Sequence, residues 1–283
     1  MRETGGVLVS CFSFAAALDP ADNRVLVDRA LTGVEPGSAD LVVLPEAAMA
    51  DFGPADADLA AHAEPLDGPF VTLLAEHARR IGAVVLAGMF EATDALPFNT
   101  LVAVGPGGLI ASYRKVHLYD SFGYRESDRL SPGDLRPTVI DVAGTRVGLM
   151  TCYDLRFPEL ARALVDHDAR LIVVPAAWVA GEHKLDHWRT LLAARAIENT
   201  CWVLGVGQNG RRYTGHSGLY DPWGVRVAED GPGTGDGPAD GPEDGAVSRL
   251  DVRVDADLVD AVREVNPSLA NRRWNTGGGA ATR

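Results

Sequence analysis

The sequence predicts one layered α/β domain. Short runs rich in β-branched residues alternate with helical patterns over most of the 283 residues, which is typical of sheets covered by helices. Two pairs of these runs are separated only by short turns, one at 105–108 and the other at 143–144. Both pairs should therefore form hairpins. Hairpins combined with crossover connections indicate a mixed sheet. Hydrophobic residues make up 46% of the chain, which is enough for a sizeable core.

Nine runs have the composition of strands. They are residues 7–18, 40–46, 83–90, 100–105, 109–115, 138–142, 146–152, 170–177 and 201–207. The first run has the length of a signal-peptide core, but Glu3 cancels the charge of Arg2 and serines interrupt the run, so it is interpreted as a strand. LVVL and LIVVP, in the second and eighth runs, are apolar at every position, which is typical of strands covered on both faces.

Three helices are predicted between the strands. The clearest has an apolar stripe from Phe70 to Ile81 at helical spacing; Gly68-Pro69 precede the stripe and Gly82 follows it. A second helix follows Phe157-Pro158, and a third spans about 185–198.

One segment differs from the rest in composition. Residues 229–245 (EDGPGTGDGPADGPEDG) contain no apolar residue larger than alanine, so they should form a flexible acidic loop. The runs VRVA and AVSRLDVRV on either side are interpreted as strands that a short turn could join. The last residues, 276–283, are predicted to fray. The sequence is therefore divided into a single domain, 1–275, and a short tail.

Charge and cysteine content restrict the classes of function. The net charge is −13, which argues against a nucleic-acid partner or an anionic membrane surface. The three cysteines form no Cys-x-x-Cys pair, which fits a reducing compartment and predicts neither a disulfide framework nor a zinc site. No run reaches the roughly 18 apolar residues of a membrane span. The sequence thus predicts a cytoplasmic protein without a metal site.

Cys152 stands at the end of an apolar strand and shortly before the helix that opens at Pro158. A cysteine in such a place is either inert core or a nucleophile. Asp154, Arg156 and Glu159 crowd the junction, and the N-terminus of the next helix is electropositive. These neighbours favour a thiolate at Cys152.

A nucleophile also needs a base and a group that stabilises negative charge. His117 and His216 lie near strand ends, but their spacing favours neither. Glu46 and Lys115 are more unusual, because each charge ends a strand that is otherwise apolar. They form either a structural ion pair or, with Cys152, a site in the crevice at the carboxyl ends of the strands.

Four motifs resemble those of one known family, in the family's order. LPEAAM contains Glu46, YRKVHLYD contains Lys115, FGYRESDRLSPGD contains Glu126 and TCYDLRFPEL contains Cys152. Together they are similar to the signatures of the nitrilase superfamily of carbon–nitrogen hydrolases. Further blocks at 186–208, 215–224 and 266–273 extend the likeness over nearly the whole chain except the acidic segment.

The resemblance implies a fold and a mechanism. The fold would be a four-layer α-β-β-α sandwich that forms a homodimer or higher homo-oligomer. Cys152 would be the nucleophile, Glu46 the base and acid, and Lys115 with the backbone N–H of Tyr153 the oxyanion site. Glu126 would position Lys115. The family chemistry needs no cofactor.

The motif Cys-Tyr-Asp-Leu-Arg-Phe-Pro-Glu resembles the amidase branch that contains ω-amidase and deaminated-glutathione amidase. These enzymes act on small amides that bear carboxylates. Arg156 is the candidate for binding the substrate carboxylate, with Tyr153 and Trp178 as walls of the pocket; the alternative for Arg156 is an ion pair with Glu159 or Asp154. Arg195 is interpreted as structural.

Other functions remain open at this point. The chain could hydrolyse N-carbamoyl amino acids or nitriles instead of amides. It could also be a cysteine–histidine hydrolase that uses His117, or a catalytically silent scaffold with the same fold. The carbamoyl and nitrile alternatives differ in the substrate, and the cysteine–histidine alternative differs in the base. The scaffold alternative has no catalytic activity.

Overall fold

Two six-stranded β-sheets form the centre of the computed structural model, which describes residues 6–231 and 247–274. In chain order the strands are β1 (Val7–Phe14), β2 (Leu41–Val43), β3 (Val84–Glu91), β4 (Phe98–Gly105), β5 (Gly108–Arg114), β6 (Asp120–Ser121), β7 (Tyr124–Arg125), β8 (Val139–Val142), β9 (Thr145–Leu149), β10 (Leu171–Ala176), β11 (Trp202–Gly207), β12 (Ser217–Tyr220), β13 (Arg226–Asp230) and β14 (Val247–Val254). The α-helices in the same ranges are α1 (Pro20–Thr32), α2 (Pro69–Ile81), α3 (Pro158–Asp166), α4 (Lys184–Asn199) and α5 (Ala256–Val265).

Both sheets mix parallel and antiparallel pairs. The first has the order β14-β1-β2-β3-β4-β5 and the second β13-β12-β11-β10-β9-β8, while β6 and β7 form a separate hairpin. The pairs β1–β2, β2–β3, β9–β10 and β10–β11 are parallel, and their connections run through helices or long segments. The expected hairpins β4–β5 and β8–β9 are present. The prediction of a mixed α/β architecture is confirmed.

The burial of β2 shows how the layers arise. Its neighbouring side chains point to opposite faces: Leu41 and Val43 enter the core that includes the second sheet, whereas Val42 packs with residues of α1 and α2. Both faces of β2 are buried, and all of its residues are apolar. On the second sheet, α3 packs against β9 and α4 against β11. The order helix, sheet, sheet, helix is the four-layer α-β-β-α sandwich of the nitrilase type.

The helices confirm the sequence pattern where it was strong. Helix α2 begins at Pro69 and ends before Gly82, which has φ +79, a backbone conformation that glycine adopts without steric cost. Helices α3 and α4 lie where they were predicted. Helices α1 and α5 were not predicted. In α1 the buried face includes the polar Asn23, whose amide bonds the carbonyls of Ala17 and Met49, so the apolar stripe is interrupted.

The start of the acidic loop was predicted wrongly. Glu229 and Asp230 belong to β13, where Glu229 pairs with Gly218 and its carboxylate binds Arg189 at 2.8 Å. Strand β13 lies in the second sheet and β14 in the first. The two flanking strands therefore form no hairpin that a short turn could close. Most of the predicted loop (232–245) and the predicted tail at 276–283 lie outside the described residues.

Candidate active site

Three predicted site residues follow the ends of strands at one end of the sandwich. Glu46 comes three residues after β2, Lys115 directly after β5 and Cys152 three residues after β9. Strands β2 and β5 belong to the first sheet and β9 to the second. All three side chains line one cavity, together with Glu126. The structure thus brings together the four residues that the motifs indicated.

Lys115 lies between two carboxylates. Its Nζ is 3.0 Å from Oε1 of Glu46, and 2.8 Å and 3.2 Å from the two carboxylate oxygens of Glu126. The three residues are at most 2% exposed. Burial alone would lower the pKa of Lys115, but the charges of Glu126 and Glu46 outweigh it and hold the pKa well above its ordinary value. Lys115 is therefore a fixed positive charge.

Asn99 completes this cluster and was not predicted. Its side-chain amide donates to Oε1 of Glu46 at 2.7 Å and to Oε1 of Glu126 at 3.1 Å. The other oxygen of Glu46 accepts from the backbone N–H of Ala177 at 2.6 Å. These donors fix the position of the Glu46 carboxylate. The available signal was a buried polar residue on the largely apolar strand β4 (FNTLVAVG).

Cys152 opens a five-residue 3₁₀ turn, Cys152–Arg156, with φ +48. The thiol is buried. Burial raises its pKa well above the ordinary value, the charge of Glu46 raises it further, and Lys115 opposes both. The expectation of a thiolate beside the helix that opens at Pro158 is therefore wrong, because the 3₁₀ turn separates Cys152 from that helix and the protonated thiol is the favoured form.

Asp154 holds the turn that carries Cys152. One carboxylate oxygen accepts from the hydroxyl of Tyr113 at 2.7 Å and from the N–H of Thr151 at 3.0 Å. The other lies 2.8 Å from Nδ1 of His117. The ring of His117 stacks on Phe157 and does not line the cavity. This geometry gives no support to a cysteine–histidine pair with His117 as the base.

The cavity has a volume of about 570 Å³. Tyr153, Arg156 and Trp178 line it, as the sequence suggested. The guanidinium of Arg156 lies 5.1 Å from the Trp178 ring centre and donates to Nδ1 of His187 at 3.2 Å. Within the described ranges no carboxylate lies within 4.0 Å of Arg156, so the alternative of an ion pair with Glu159 or Asp154 is wrong.

Arg195 is placed as expected for a structural residue. Its Nε donates to the carbonyl of Leu155 at 3.1 Å, and its guanidinium binds Glu198 at 2.7 Å. It does not line the cavity. Arg195 instead connects α4 to the turn that begins at Cys152.

Within residues 6–231 and 247–274, no group of three or more His, Cys, Asp or Glu side chains is arranged to hold a metal ion. In the same ranges no helix combines the length and the apolar composition of a membrane span.

A four-layer sandwich with a buried cysteine, a lysine and two glutamates at one end defines a class, the nitrilase-type hydrolases. The family model described as carbon-nitrogen hydrolase matches residues 10–236. The chain belongs to the carbon–nitrogen hydrolase family.

Named relatives and solved structures agree with this assignment. The chain is 37% identical over 274 residues to a deaminated glutathione amidase from Escherichia coli O157:H7, covering 95% of this chain and 98% of the relative. It is 34% identical to a deaminated glutathione amidase from Yersinia enterocolitica, covering 94% and 93%. A CN-hydrolase superfamily protein from Xanthomonas campestris superposes with a TM-score of 0.81 at 29% identity, covering 96% and 99%.

A second solved structure concerns the cysteine directly. An amidase variant from Nesterenkonia sp. AN1 superposes with a TM-score of 0.73 at 25% identity, covering 93% of this chain and 99% of that one. In that protein acrylamide has added to the active site cysteine. Amide C–N hydrolysis is the activity that the family and these relatives support for the present chain.

Proposed function

We propose that the protein hydrolyses a small amide that bears a carboxylate, through a thioester on Cys152, with release of ammonia. The catalytic residues are Glu46, Lys115, Cys152 and Glu126. The observation that carries this proposal is the position of Lys115, held between two buried carboxylates beside a buried thiol. A fixed cation next to a protonated nucleophile and a carboxylate is the arrangement that acyl transfer needs.

The first step transfers a proton. Because Cys152 is a thiol at rest, its proton must leave as the sulfur attacks the carbonyl carbon. The charge of Glu46 raises the pKa of this thiol, and Glu46 lines the same cavity as Cys152, so Glu46 is the base that accepts the proton. Glu46 then gives the proton to the nitrogen as the C–N bond breaks. Ammonia leaves, and the acyl group remains on Cys152.

The second step removes the acyl group. Glu46, again a carboxylate, takes a proton from water, and the water oxygen attacks the thioester carbon. In both steps negative charge develops on the former carbonyl oxygen. The ammonium of Lys115 and the backbone N–H of Tyr153 stabilise this oxyanion. Glu126 keeps Lys115 charged and in position but does not exchange protons with the substrate.

Arg156 binds the carboxylate of the substrate. Its guanidinium lines the cavity without a carboxylate partner among the described residues, and the rings of Tyr153 and Trp178 bound the space beside it. A planar guanidinium pairs well with a carboxylate. The relatives named deaminated glutathione amidase support an amide of an oxo acid as the substrate.

A substrate panel tests the proposal. Ammonia release is measured with α-ketoglutaramate, α-ketosuccinamate, carbamoyl amino acids and nitriles, and total hydrolysis with deaminated glutathione. We expect carboxylate-bearing amides to be turned over best and nitriles poorly or not at all. A preference for carbamoyl amino acids or nitriles would replace the amidase assignment by one of these alternatives. No turnover in the whole panel would favour a silent scaffold.

We further propose that residues 1–275 form a single domain that assembles as a homodimer or a higher homo-oligomer. Support comes from an exposed apolar surface on the side of α4. Ile197 of α4 is 51% exposed, next to the turn that carries Trp223 and Val225, which are 47% and 56% exposed. An apolar surface of this kind is typical of an interaction site. Light scattering after size-exclusion chromatography gives the oligomeric state, and Ile197→Asp should lower it.

A further inference from the structure

Lysine is used in only two places in this chain. Lys115 and Lys184 are the two lysines of the sequence, against 24 arginines. Both line the cavity that contains Cys152. Lysine is a compact, mobile ammonium, whereas arginine is a planar fork that stays charged. The mechanism uses Lys115 and leaves Lys184 without a role.

Lys184 begins α4 and is 7% exposed. Its Nζ lies 3.1 Å from the hydroxyl of Tyr119 and 3.5 Å from the centre of the Phe122 ring. No carboxylate of the described residues comes within 4.0 Å of this nitrogen, in contrast to Lys115. Burial lowers the pKa of Lys184, and the charge of Arg156 lowers it further. A largely buried ammonium without a counter-ion is costly, so an anion from outside would stabilise it.

The other charges of the cavity are compensated. Glu46 and Glu126 share Lys115, as described above. Arg212 lies 3.3 Å from Asp51, and the carboxylate of Glu182 is exposed to solvent. Among the described residues that line the cavity, Arg156 and Lys184 are the two cations that no protein carboxylate neutralises. The charge of Arg156 is close enough to lower the pKa of Lys184.

We propose that Lys184 determines specificity by binding a second carboxylate, so that the preferred substrate is an amide with two carboxylates, one on Arg156 and one on Lys184. This inference rests on the proposed function, in which Arg156 binds the first carboxylate. The volume of about 570 Å³ falls within the usual range for pockets that enclose ligands larger than a simple monocarboxylate amide. Bound together, the two anions neutralise both cations.

A purely structural role for Lys184 is the competing explanation. Its contact with Phe122 braces the hairpin formed by β6 and β7, since Phe122 lies between those two strands. A brace would affect every substrate to the same extent. Binding of a carboxylate affects only substrates that carry the second charge. The two roles therefore differ in a measurable way.

Matched substrate pairs make the kinetic test. In the first pair, tricarballylic acid monoamide carries the second carboxylate on the acyl side of the scissile bond, and glutaramate lacks it. In the second pair, N-glutarylglycine carries it on the nitrogen side, and N-propylglutaramate lacks it. We expect the wild type to prefer the dicarboxylate member of at least one pair, and Lys184→Met to lower its kcat/KM about 10- to 100-fold, mainly through KM. The monocarboxylate member should lose much less, and Lys184→Arg should retain part of the preference.

A spectroscopic test does not depend on turnover. With ¹³C-labelled lysine, the chain gives signals from two lysine ε-carbons, which Lys184→Met assigns. In the Cys152→Ala protein, the dicarboxylate probes should shift the Lys184 signal at lower concentration than their monocarboxylate partners. Equal losses for both members of each pair in Lys184→Met, with no shift of this signal, would overturn the inference. A shift without turnover of any probe by the wild type would count against the proposed function alone.

Discussion

Lys115 donates to both carboxylate oxygens of Glu126, at 2.8 Å and 3.2 Å, with both side chains buried. Removing one partner of a buried pair leaves an uncompensated charge, which costs about 3–5 kcal/mol of stability. Lys115 also faces Glu46. Any substitution of Lys115 therefore affects the folded state as well as the reaction, and the cleaner tests of the mechanism are substitutions of its neighbours.

The first prediction concerns those neighbours. Cys152→Ala and Glu46→Gln should each lower kcat by roughly a thousandfold or more, because they remove the nucleophile and the proton carrier. Glu126→Gln should lower kcat by about a hundredfold, since Lys115 keeps its charge but loses a fixed position. Steady-state kinetics and intact-mass detection of an acyl adduct on Cys152 provide the measurements. Cys201 lies outside the cavity, so Cys201→Ala is the control. Full activity in Glu46→Gln would exclude Glu46 as the base.

The second prediction is the pH dependence of Cys152 alkylation. Burial and the charge of Glu46 raise the pKa of this thiol, and Lys115 lowers it. Removing a negative charge stabilises the thiolate, so the midpoint for iodoacetamide alkylation should move to lower pH in Glu46→Gln. In Lys115→Met it should move to higher pH. Mass spectrometry of the labelled peptide follows each rate.

The buried Cys11 and Cys201 provide internal references for this measurement. Burial raises the pKa of each thiol to about 12. Neither thiol lines the cavity that contains Cys152, so both should remain unmodified over the pH range in which Cys152 reacts. Shifts of the Cys152 midpoint in the same direction in both variants would contradict the proposed electrostatics.

The third prediction concerns Arg156. Arg156→Ala should raise KM for a carboxylate-bearing amide by about 10- to 150-fold, the equivalent of a charge-assisted hydrogen-bonded pair of about 1.5–3 kcal/mol. KM for a neutral amide such as butyramide should change much less. Arg79→Ala, on the exposed side of α2, serves as the control. Equal increases of KM for the acidic and the neutral amide would mean that Arg156 shapes the cavity without binding the carboxylate.

The fourth prediction concerns Gly88 of β3, where the chain after β2 passes very close. A Cβ atom on Gly88 would lie 2.6 Å from the backbone nitrogen of Ala47 and 2.7 Å from the Cα of Glu46. Gly88→Ala must therefore displace Glu46, and we expect a loss of activity of at least about tenfold together with a lower Tm. Gly107→Ala, with no atom within 4 Å of the added Cβ, should behave like the wild type.

The fifth prediction is that dialysis against EDTA leaves the activity unchanged. The proposed mechanism uses an ammonium group in place of a Lewis acid to stabilise the oxyanion. Atomic absorption before and after dialysis, with the activity measured in parallel, checks this expectation. Loss of activity that zinc or manganese restores would contradict the mechanism.

The sequence predicted the positions of Glu46, Lys115 and Cys152 because a charge or thiol at the end of an apolar strand is a local pattern. It predicted α2 for a similar reason, since the apolar stripe and the flanking glycines are local too. Asn99 was missed because its role depends on contacts with Glu46 and Glu126, which are distant in sequence. Such contacts depend on the tertiary fold, because Asn99 lies on β4 and Glu46 follows β2, two strands that are brought near each other only by the order of strands in the first sheet.

The protonation state of Cys152 illustrates the same limit. Its closeness in sequence to Pro158 suggested a thiolate at a helix N-terminus. A 3₁₀ turn lies between them, and the dominant influences are burial and Glu46. The local sequence predicted that β13 and β14 are strands. It could not predict that they belong to different sheets, because that depends on contacts with strands distant in sequence.

The pairing of β1 has a consequence for folding during synthesis. β1 is the earliest strand of the described chain, and β14, which covers one of its edges along the full register from Val7 to Phe14, is the latest. Until residue 254 has left the ribosome, this edge of the first sheet lacks its native neighbour. Unpaired edges recruit other strands, so this edge of the nascent chain is open to non-native pairing until β14 has been synthesised.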